Sequence, residues 1–583
     1  MAVTFNKSST LVAKKYREFL ASSLMAALAG QLGIVIDSLM VGNFLGPNAM
    51  TGVSVCMPLE QIIGAVAILL SMGAAGMVAV AAGARETDEA NRIFSTVIIL
   101  NALTAAVFLA VLVPFLRETA AFLAGQEAIT PLTCEYLRIM VWRTPFRMLL
   151  SSLSILINSD GMVKLTGRGT LLAQAVNIGL DLLLIRVCDM GLHGAAIATV
   201  ASDIAALSYI LLIYVSSGER TLRFVGADKG FWRRSWELIR AGFPAAAATG
   251  LVSVRVWCIY HILEQAGGAE AMQIYAVCMN ILTFLSMVAQ GSQRAMMPVL
   301  GVLYGEKDYQ GVRMLFRYVM KYAFAMAGAL LLFLFAFPQL VLKIFNLAPE
   351  LVMSGQTDIR LFTVSLIGVL ISFMMMYYYT TINQTGAATL ISVVEGILVV
   401  VPAAWLLVRT MGTRGVWFAF ILAEAVTLTL LYVYTRYKHR RDPERYADLY
   451  MIPKTMRELL FDVSVKATRE SAAGLSEGAI DALKENGVTG DIAMKAGIAL
   501  EEITLNLGTR QPGKKPDLDV RIIKNGEHIT ISLRDNGLPF NPMEYSPEDR
   551  EAYLTDGVLL FKALARDIRY SRVLSLNQTI IDI

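Results

Sequence analysis

Up to about Tyr437 the chain is a succession of apolar stretches of about 20–28 residues, the length a helix needs to cross a bilayer. Short polar breaks separate them. The pattern predicts spans near 15–41, 52–81, 94–116, 132–158, 168–188, 193–216, 237–263, 274–300, 318–345, 359–381, 388–408 and 414–436. From Lys438 the character changes, and charges recur every few residues. The border is Lys438–Arg445, read K-H-R-R-D-P-E-R. Beyond it, helical and alternating patterns follow one another. A helix is expected near 467–486 and another from Asp491 to about Leu507. Two alternating strands then flank Asn525-Gly526, a type I′ turn signal. A helix near 556–567 and strands near 568–574 and 577–583 complete the tail. The expected fold class is therefore a membrane all-α part of twelve transmembrane helices plus a C-terminal α+β sandwich.

The two halves of the membrane part resemble each other at an offset of 221 to 222 residues. Ala49-Met50 with Cys56-Met57 returns as Ala271-Met272 with Cys278-Met279. The turn Gly191–Gly194 returns as Gly412–Gly415, and Asp203 matches Glu424. Each half would be a six-helix bundle. Six is even, so both bundles keep the same topology and a pseudo-twofold axis runs along the membrane normal. The domain boundaries follow: an N-lobe at 1–220, a C-lobe at 221–440, a linker at 441–460 and a soluble domain at 461–583.

Composition agrees: 56% of the 583 residues are hydrophobic and 17% charged, which excludes a single soluble globular domain and a disordered chain. The net charge of +4 is too small to argue for nucleic acid, and none is expected as a partner. Its placement says more. Lys14, Lys15, Arg85, Arg92, Lys164, the Arg220–Arg240 stretch, Lys307 and Lys438–Arg441 fall on one side of the predicted topology. By the positive-inside rule that side is cytoplasmic, so both termini are expected inside a plasma (inner) membrane. No cleavable signal peptide is expected, because the first apolar stretch continues as a full span. The five cysteines lie in apolar stretches without C-x-x-C spacing and read as small buried hydrophobes.

An ionisable group inside a span needs a reason. Asp37 sits late in the first span, and Asn177 and Asp181 sit four apart in the fifth, on one helix face with Gln174. Thr199 lies in the sixth. Two carboxylates with an amide and a hydroxyl suit a proton relay or an oxygen-lined Na⁺ site, with Asp37 and Asp181 as the H⁺ or Na⁺ ligands. Arg143, Arg147 and Arg255 are unusual intramembrane cations and keep an anionic substrate open; Arg255 can also neutralise Glu395. The residues Met374–Tyr379, Met287, Met296 and Met297 could line an adaptable cleft or pack a core.

The stretch D-S-L-M-V-G-N-F-L-G-P-N-A-M, the N-x-x-x-D of the fifth span and the G-A-A-I-A-T turn resemble the multidrug and toxic compound extrusion (MATE) family over about residues 10–440. That resemblance implies export of organic, often cationic, compounds in exchange for H⁺ or Na⁺. It also implies coupling through the matching Asp37, Asn177, Asp181 and Thr199. The seventh span carries Arg255 where some members carry an acid.

In the tail, Glu502, Asn506 and Arg510 are spaced i, i+4, i+8 on one helix face. Asn506 can offer an oxygen to Mg²⁺, Glu502 can orient a nucleophile and Arg510 can face phosphate. Asp535, at a strand end, can accept a hydrogen bond from an adenine amino group, and Gly537 lets the base approach the backbone. Asp556-Gly557 opens a helix whose N-terminus can face phosphates. In this order, with D-N-G-L-P-F-N-P, the tail resembles the GHKL-type ATP-binding domain shared by gyrase, histidine kinases and anti-sigma-factor kinases, and is most similar to the last. The resemblance implies ATP and Mg²⁺ as cofactors. Glu502 would be the general base if ATP is turned over, Asn506 the Mg²⁺ ligand and Asp535 the adenine reader. Two readings compete with a nucleotide-regulated exporter of small organic compounds. One is a membrane-anchored sensor whose tail is a serine kinase acting on an anti-anti-sigma-like partner. The other is a flippase for lipid-linked or anionic substrates.

Overall fold

The computed structural model describes residues 10–583 except 125–128, 219, 346, 455–457, 511–514, 526–527 and 545–556. The chain divides into two compact units. One comprises Phe19–Lys307 and Phe316–Ile452; the other comprises the chain up to Glu18, Asp308–Leu315 and Pro453–Ile583.

The larger unit is helical. Among the described residues nine stretches are long and apolar enough to cross a membrane, from Ala49–Ala84 to Thr385–Arg441. Proline often sets where a helix begins, as with Pro58, Pro145 and Pro349, because its fixed φ suits the first turn and its missing N–H has no partner to lose there. The expected span 132–158 is broken in two. Thr130–Met140 and Thr144–Ser159 are joined by a 3-10 turn at Val141–Arg143. The expected spans 237–263 and 274–300 are two helices, Phe231–Gly268 and Glu270–Gly305, that meet at a kink at Gly268, where φ is 58° and ψ −151°. Only glycine adopts that backbone without strain. Two further helices carry π-turns, Leu182–Val187 directly after Asp181 and Val394–Leu398 around Glu395. Turns of this kind widen the helix by one residue and re-aim side chains.

A seam of small residues holds the centre of this unit. The Met57–Ala84 helix packs along Phe231–Gly305. A Cβ at Gly242 would collide with the carbonyl of Leu69, and one at Gly305 with the carbonyl of Val80. The two backbones are thus nearly in contact at both ends of the seam. Between helices in lipid such contact supplies the dispersion energy that a hydrophobic drive cannot.

The methionine- and tyrosine-rich stretch 374–379 is spent on packing. Met374, Met376, Tyr378 and Tyr379 are buried. The Tyr378 hydroxyl donates to the Tyr450 carbonyl at 3.0 Å and that of Tyr379 to the Leu449 carbonyl at 2.6 Å. Met287, Met296 and Met297 are buried as well. The chain just after the last membrane helix is therefore tied down, although it was expected to be linker.

The smaller unit holds a five-stranded antiparallel sheet, β1 (Glu458–Lys466), β2 (Asp517–Asn525), β3 (His528–Asp535), β4 (Asp567–Val573) and β5 (Leu576–Asp582), in the order β1-β2-β3-β5-β4. β1 starts inside the expected linker. Its alternation of Leu459, Phe461, Val463 and Val465 is that of a half-buried strand. The helices Arg469–Glu485 and Gly490–Thr509 bury Leu475, Leu483, Ala496 and Leu500 in one core with Val520, Ile522 and Ile531 of the sheet. Thr468 starts the first of them through a reciprocal capping box with Ser471. The expected turn at Asn525-Gly526 lies outside the described residues, although β2 and β3 pair up to Asn525 and His528.

Asp519 of β2 is a buried carboxyl in this sheet. Burial pushes it up to about 7, only partly offset by the hydroxyl of Ser464 and the guanidinium groups of Arg534 and Arg521. The folded chain thus holds this proton to a higher pH than the unfolded chain does. Asp519 lowers stability progressively as pH rises from about 4 to about 7, and the full cost is present above that range. Asp519→Asn is expected to stabilise the sheet at pH 8 by at most about 4 kcal/mol, seen as a higher unfolding midpoint, with little effect near pH 4. Thermal melts at the two pH values check this. Along the seam, Gly242→Leu is expected to cost more than about 2 kcal/mol, because backbone rather than a flexible side chain must yield. Loss of the monodisperse peak in size-exclusion chromatography of the detergent-solubilised protein would register it.

Candidate functional site

Four spans build the membrane site. The Thr10–Leu45 helix carries Asp37, Val163–Asp181 carries Asn177 and Asp181, and Gly191–Ser216 carries Thr199 and Asp203. Arg143 comes from the 3-10 turn in the broken fourth span. The space a Cβ would fill at Gly33 is taken by the side-chain amide of Gln174. That lets the first and fifth spans close on each other one turn before Asp37, and the carboxyls of Asp37 and Asp181 lie side by side. Neither oxygen of Asp181, nor Oδ1 of Asp37, has a hydrogen-bond donor among the described residues. Two adjacent carboxyls can bond to each other only if one holds a proton, and otherwise they need a cation between them. Asn177 is buried on the same helix face as Asp181. The Thr199 hydroxyl donates to the Ala195 carbonyl of its own helix at 3.0 Å, so its oxygen lone pairs are what it can offer. Among the described residues no hydrogen bond joins Asn177 or Thr199 to the carboxyl pair.

Arg143 completes the surroundings. Its Nε donates to Asp203 Oδ2 at 2.7 Å and its Nη1 to Glu60 Oε2 at 3.1 Å, while Arg147 stands 3.6 Å from Asp203 Oδ1. Sequence reasoning missed Glu60. It lies 83 positions from Arg143, and nothing in its local pattern marks it as a partner. The other half holds a comparable cluster. Arg255 is buried, donates to the Glu395 carbonyl oxygen at 3.2 Å and lies over the Phe420 ring at 5.4 Å. Glu424, which the internal repeat matched to Asp203, is buried and accepts from Ser372 at 2.8 Å.

A second constellation gathers in the tail at the C-terminal end of Gly490–Thr509. Asn506 is buried, and its Oδ1 accepts from Arg510 Nε at 2.6 Å. The Arg510 guanidinium packs 3.6 Å from the centre of the Phe540 ring. Burial lowers its pKa to about 10 in spite of Asp535 and Tyr570 nearby. Asp535 Oδ1 accepts from the Gly537 amide and from Asn577 Nδ2, both at 2.8 Å. Burial holds this carboxyl above its ordinary range, against those hydrogen bonds. A Cβ at Gly537 would stand 2.7 Å from Leu507 Cδ1 and 2.9 Å from Asp535 Oδ1, so a larger residue there would have to shift both side chains. Asn577, opposite Asp535 in the β3–β5 register, was not singled out by sequence, since only strand pairing shows whom it faces. Glu502 lies one turn before Asn506 and is half-buried. Gly557 opens the Gly557–Leu564 helix as expected, and Asp556 lies outside the described residues.

Comparison with known proteins bears on the membrane part. The MatE family matches residues 23–183 and again residues 244–406, together more than half of the chain. This chain belongs to the MatE family. The starts of the two matched segments differ by the same offset as the internal repeat, and the second ends before the tail. Over 448 residues the MatE chain is 23% identical to the probable multidrug resistance protein YoeA of Bacillus subtilis, covering 75% of this chain and 96% of that one. It is 22% identical to the multidrug export protein MepA of Staphylococcus haemolyticus, covering 71% and 90%. A mutant of the Vibrio cholerae MATE transporter VcmN superposes with a TM-score of 0.69 at 17% identity, covering 76% of this chain and 99% of that one. The protein is thus a multi-pass membrane transporter of the MATE multidrug-exporter family with a small C-terminal sheet domain.

Arg143→Met leaves Glu60 and Asp203 without their shared cation and is expected to cost about 3–5 kcal/mol of stability. Adding Asp203→Asn should restore a large part of it. Thermal midpoints of the three proteins in detergent measure both effects, and no recovery in the double variant would show that Arg143 acts through packing alone.

Proposed function

We propose that this protein is a secondary-active exporter of organic, cationic or drug-like compounds, driven by H⁺ or Na⁺. In this reading twelve helices form two six-helix bundles and both termini are cytoplasmic. The observation that carries it is the adjacent pair Asp37 and Asp181, with carboxyl oxygens that lack donors, inside a transporter of this family. In a low-dielectric interior such a pair holds one proton or one cation far better than none. A cationic substrate and the coupling ion then compete for the same negative charge, so loading one releases the other. Asn177 and Thr199 supply the further oxygens that Na⁺ would need. Relatives named for multidrug resistance and multidrug export support an organic substrate. A flippase for anionic or lipid-linked substrates would use intramembrane arginines, but Arg143 is already matched by Glu60 and Asp203, and Arg255 by the Glu395 carbonyl.

The tail, in the same reading, binds an adenine nucleotide and regulates transport without powering it. Asp535 would accept from the adenine amino group next to Gly537, with Arg510, Asn506 and the start of the Gly557 helix on the phosphate side. The geometry fits a base, because the Asp535 carboxyl is already oriented by Asn577 and the Gly537 amide.

Asp37→Asn and Asp181→Asn are each expected to reduce efflux of a fluorescent cationic dye from proteoliposomes to background under imposed H⁺ and Na⁺ gradients, with unchanged protein yield. Normal gradient-driven efflux in both variants would refute the coupling site.

A further inference from the structure

The tail pocket has the wrong polarity for the metal ion that its resemblance implies. A Mg²⁺ ion bound by Asn506 needs the amide oxygen. That oxygen accepts from Arg510 Nε at 2.6 Å, so a guanidinium stands where the ion would. Arg510 is not free to swing aside. Its guanidinium lies over the Phe540 ring, 3.6 Å from the ring centre, it is half-buried, and the nearby Asp535 carboxyl favours its charge. With Oδ1 committed to Arg510, the amide turns its Nδ2 the other way. Asn506 is 1% exposed, and this nitrogen has no hydrogen-bond partner among the described residues. A buried donor left unpaired is destabilising, and an oxygen of an anionic ligand would relieve that cost where a cation would not.

From this arrangement we propose that the tail takes the phosphate groups of its nucleotide directly on Asn506 Nδ2 and Arg510, without a divalent metal. The inference rests on the nucleotide reading of the tail and refines it. Arg510 supplies the positive charge that Mg²⁺ supplies elsewhere, and Arg572, bound to Asn577 Oδ1 at 2.9 Å, places a second guanidinium at the Asp535 end of the site. Phosphoryl transfer relies on metal ions to neutralise charge at the phosphates. A site that holds a guanidinium in their place therefore reads the nucleotide and leaves it intact, which argues for a sensor over a serine kinase.

The test is binding of tritiated ATP to the full-length protein in lipid nanodiscs, in excess Mg²⁺ and in EDTA. The expected dissociation constants agree within about threefold, since no ion contributes to the complex. Asn506→Asp, which turns the donor into a carboxylate, should weaken binding in EDTA by more than about tenfold, as should Arg510→Ala. Binding in Mg²⁺ that disappears in EDTA would overturn the metal-free site and leave the nucleotide reading standing. No binding under either condition would overturn the nucleotide reading and this inference together. Equal binding by wild type and Asn506→Asp in EDTA would place the phosphates elsewhere and overturn the proposed contact.

Discussion

The membrane part depends on the near-contact of two backbones, that of Met57–Ala84 and that of Phe231–Gly305. Lipid offers no hydrophobic reward for bringing helices together, so close approach and its dispersion energy must supply the cohesion. Gly242 and Gly305 remove the side chains that would hold the backbones apart. Because this seam joins a helix of the first half to the two helices that open the second, it is also the frame on which both charged clusters are built.

A second constraint follows from placing charges in such a frame. Every buried ionic group here must find its counter-charge or donor inside the protein. Arg143 does so through Glu60 and Asp203, Arg255 through the Glu395 carbonyl and the Phe420 ring, and Glu424 through Ser372. In the Asp37–Asp181 pair three of the four carboxyl oxygens have no hydrogen-bond donor among the described residues, and buried Asp358 Oδ1 and Arg255 Nε are likewise without a partner there. Both π-turns lie in the spans that carry these acids, directly after Asp181 and around Glu395.

The tail obeys different rules, since its cohesion is an ordinary hydrophobic core between helices and a sheet. Its helices and most of its strands were legible because period-2 and period-3.6 patterns differ clearly in a mixed sequence. The missed strand β1 alternates just as well, but it lies at the border where composition changes and so read as linker. Register was invisible. That Asn577 faces Asp535 follows from pairing β3 with β5, and no local pattern specifies which strands will be neighbours.

The sequence by itself determined which segments are apolar enough to span a membrane, that related motifs recur at one offset, which apolar stretches contain ionisable residues, and where charges begin to recur every few residues. These follow from local composition and spacing, which need no partner to be read. The tertiary structure alone decided the pairings. It put Glu60 against Arg143, turned Tyr378 and Tyr379 from candidate cleft residues into ties for the chain at 449–450, and gave the Asn506 oxygen to Arg510. Each of these is a contact between positions whose separation in sequence or direction on a helix end leaves the outcome to packing, and packing is a property of the whole fold.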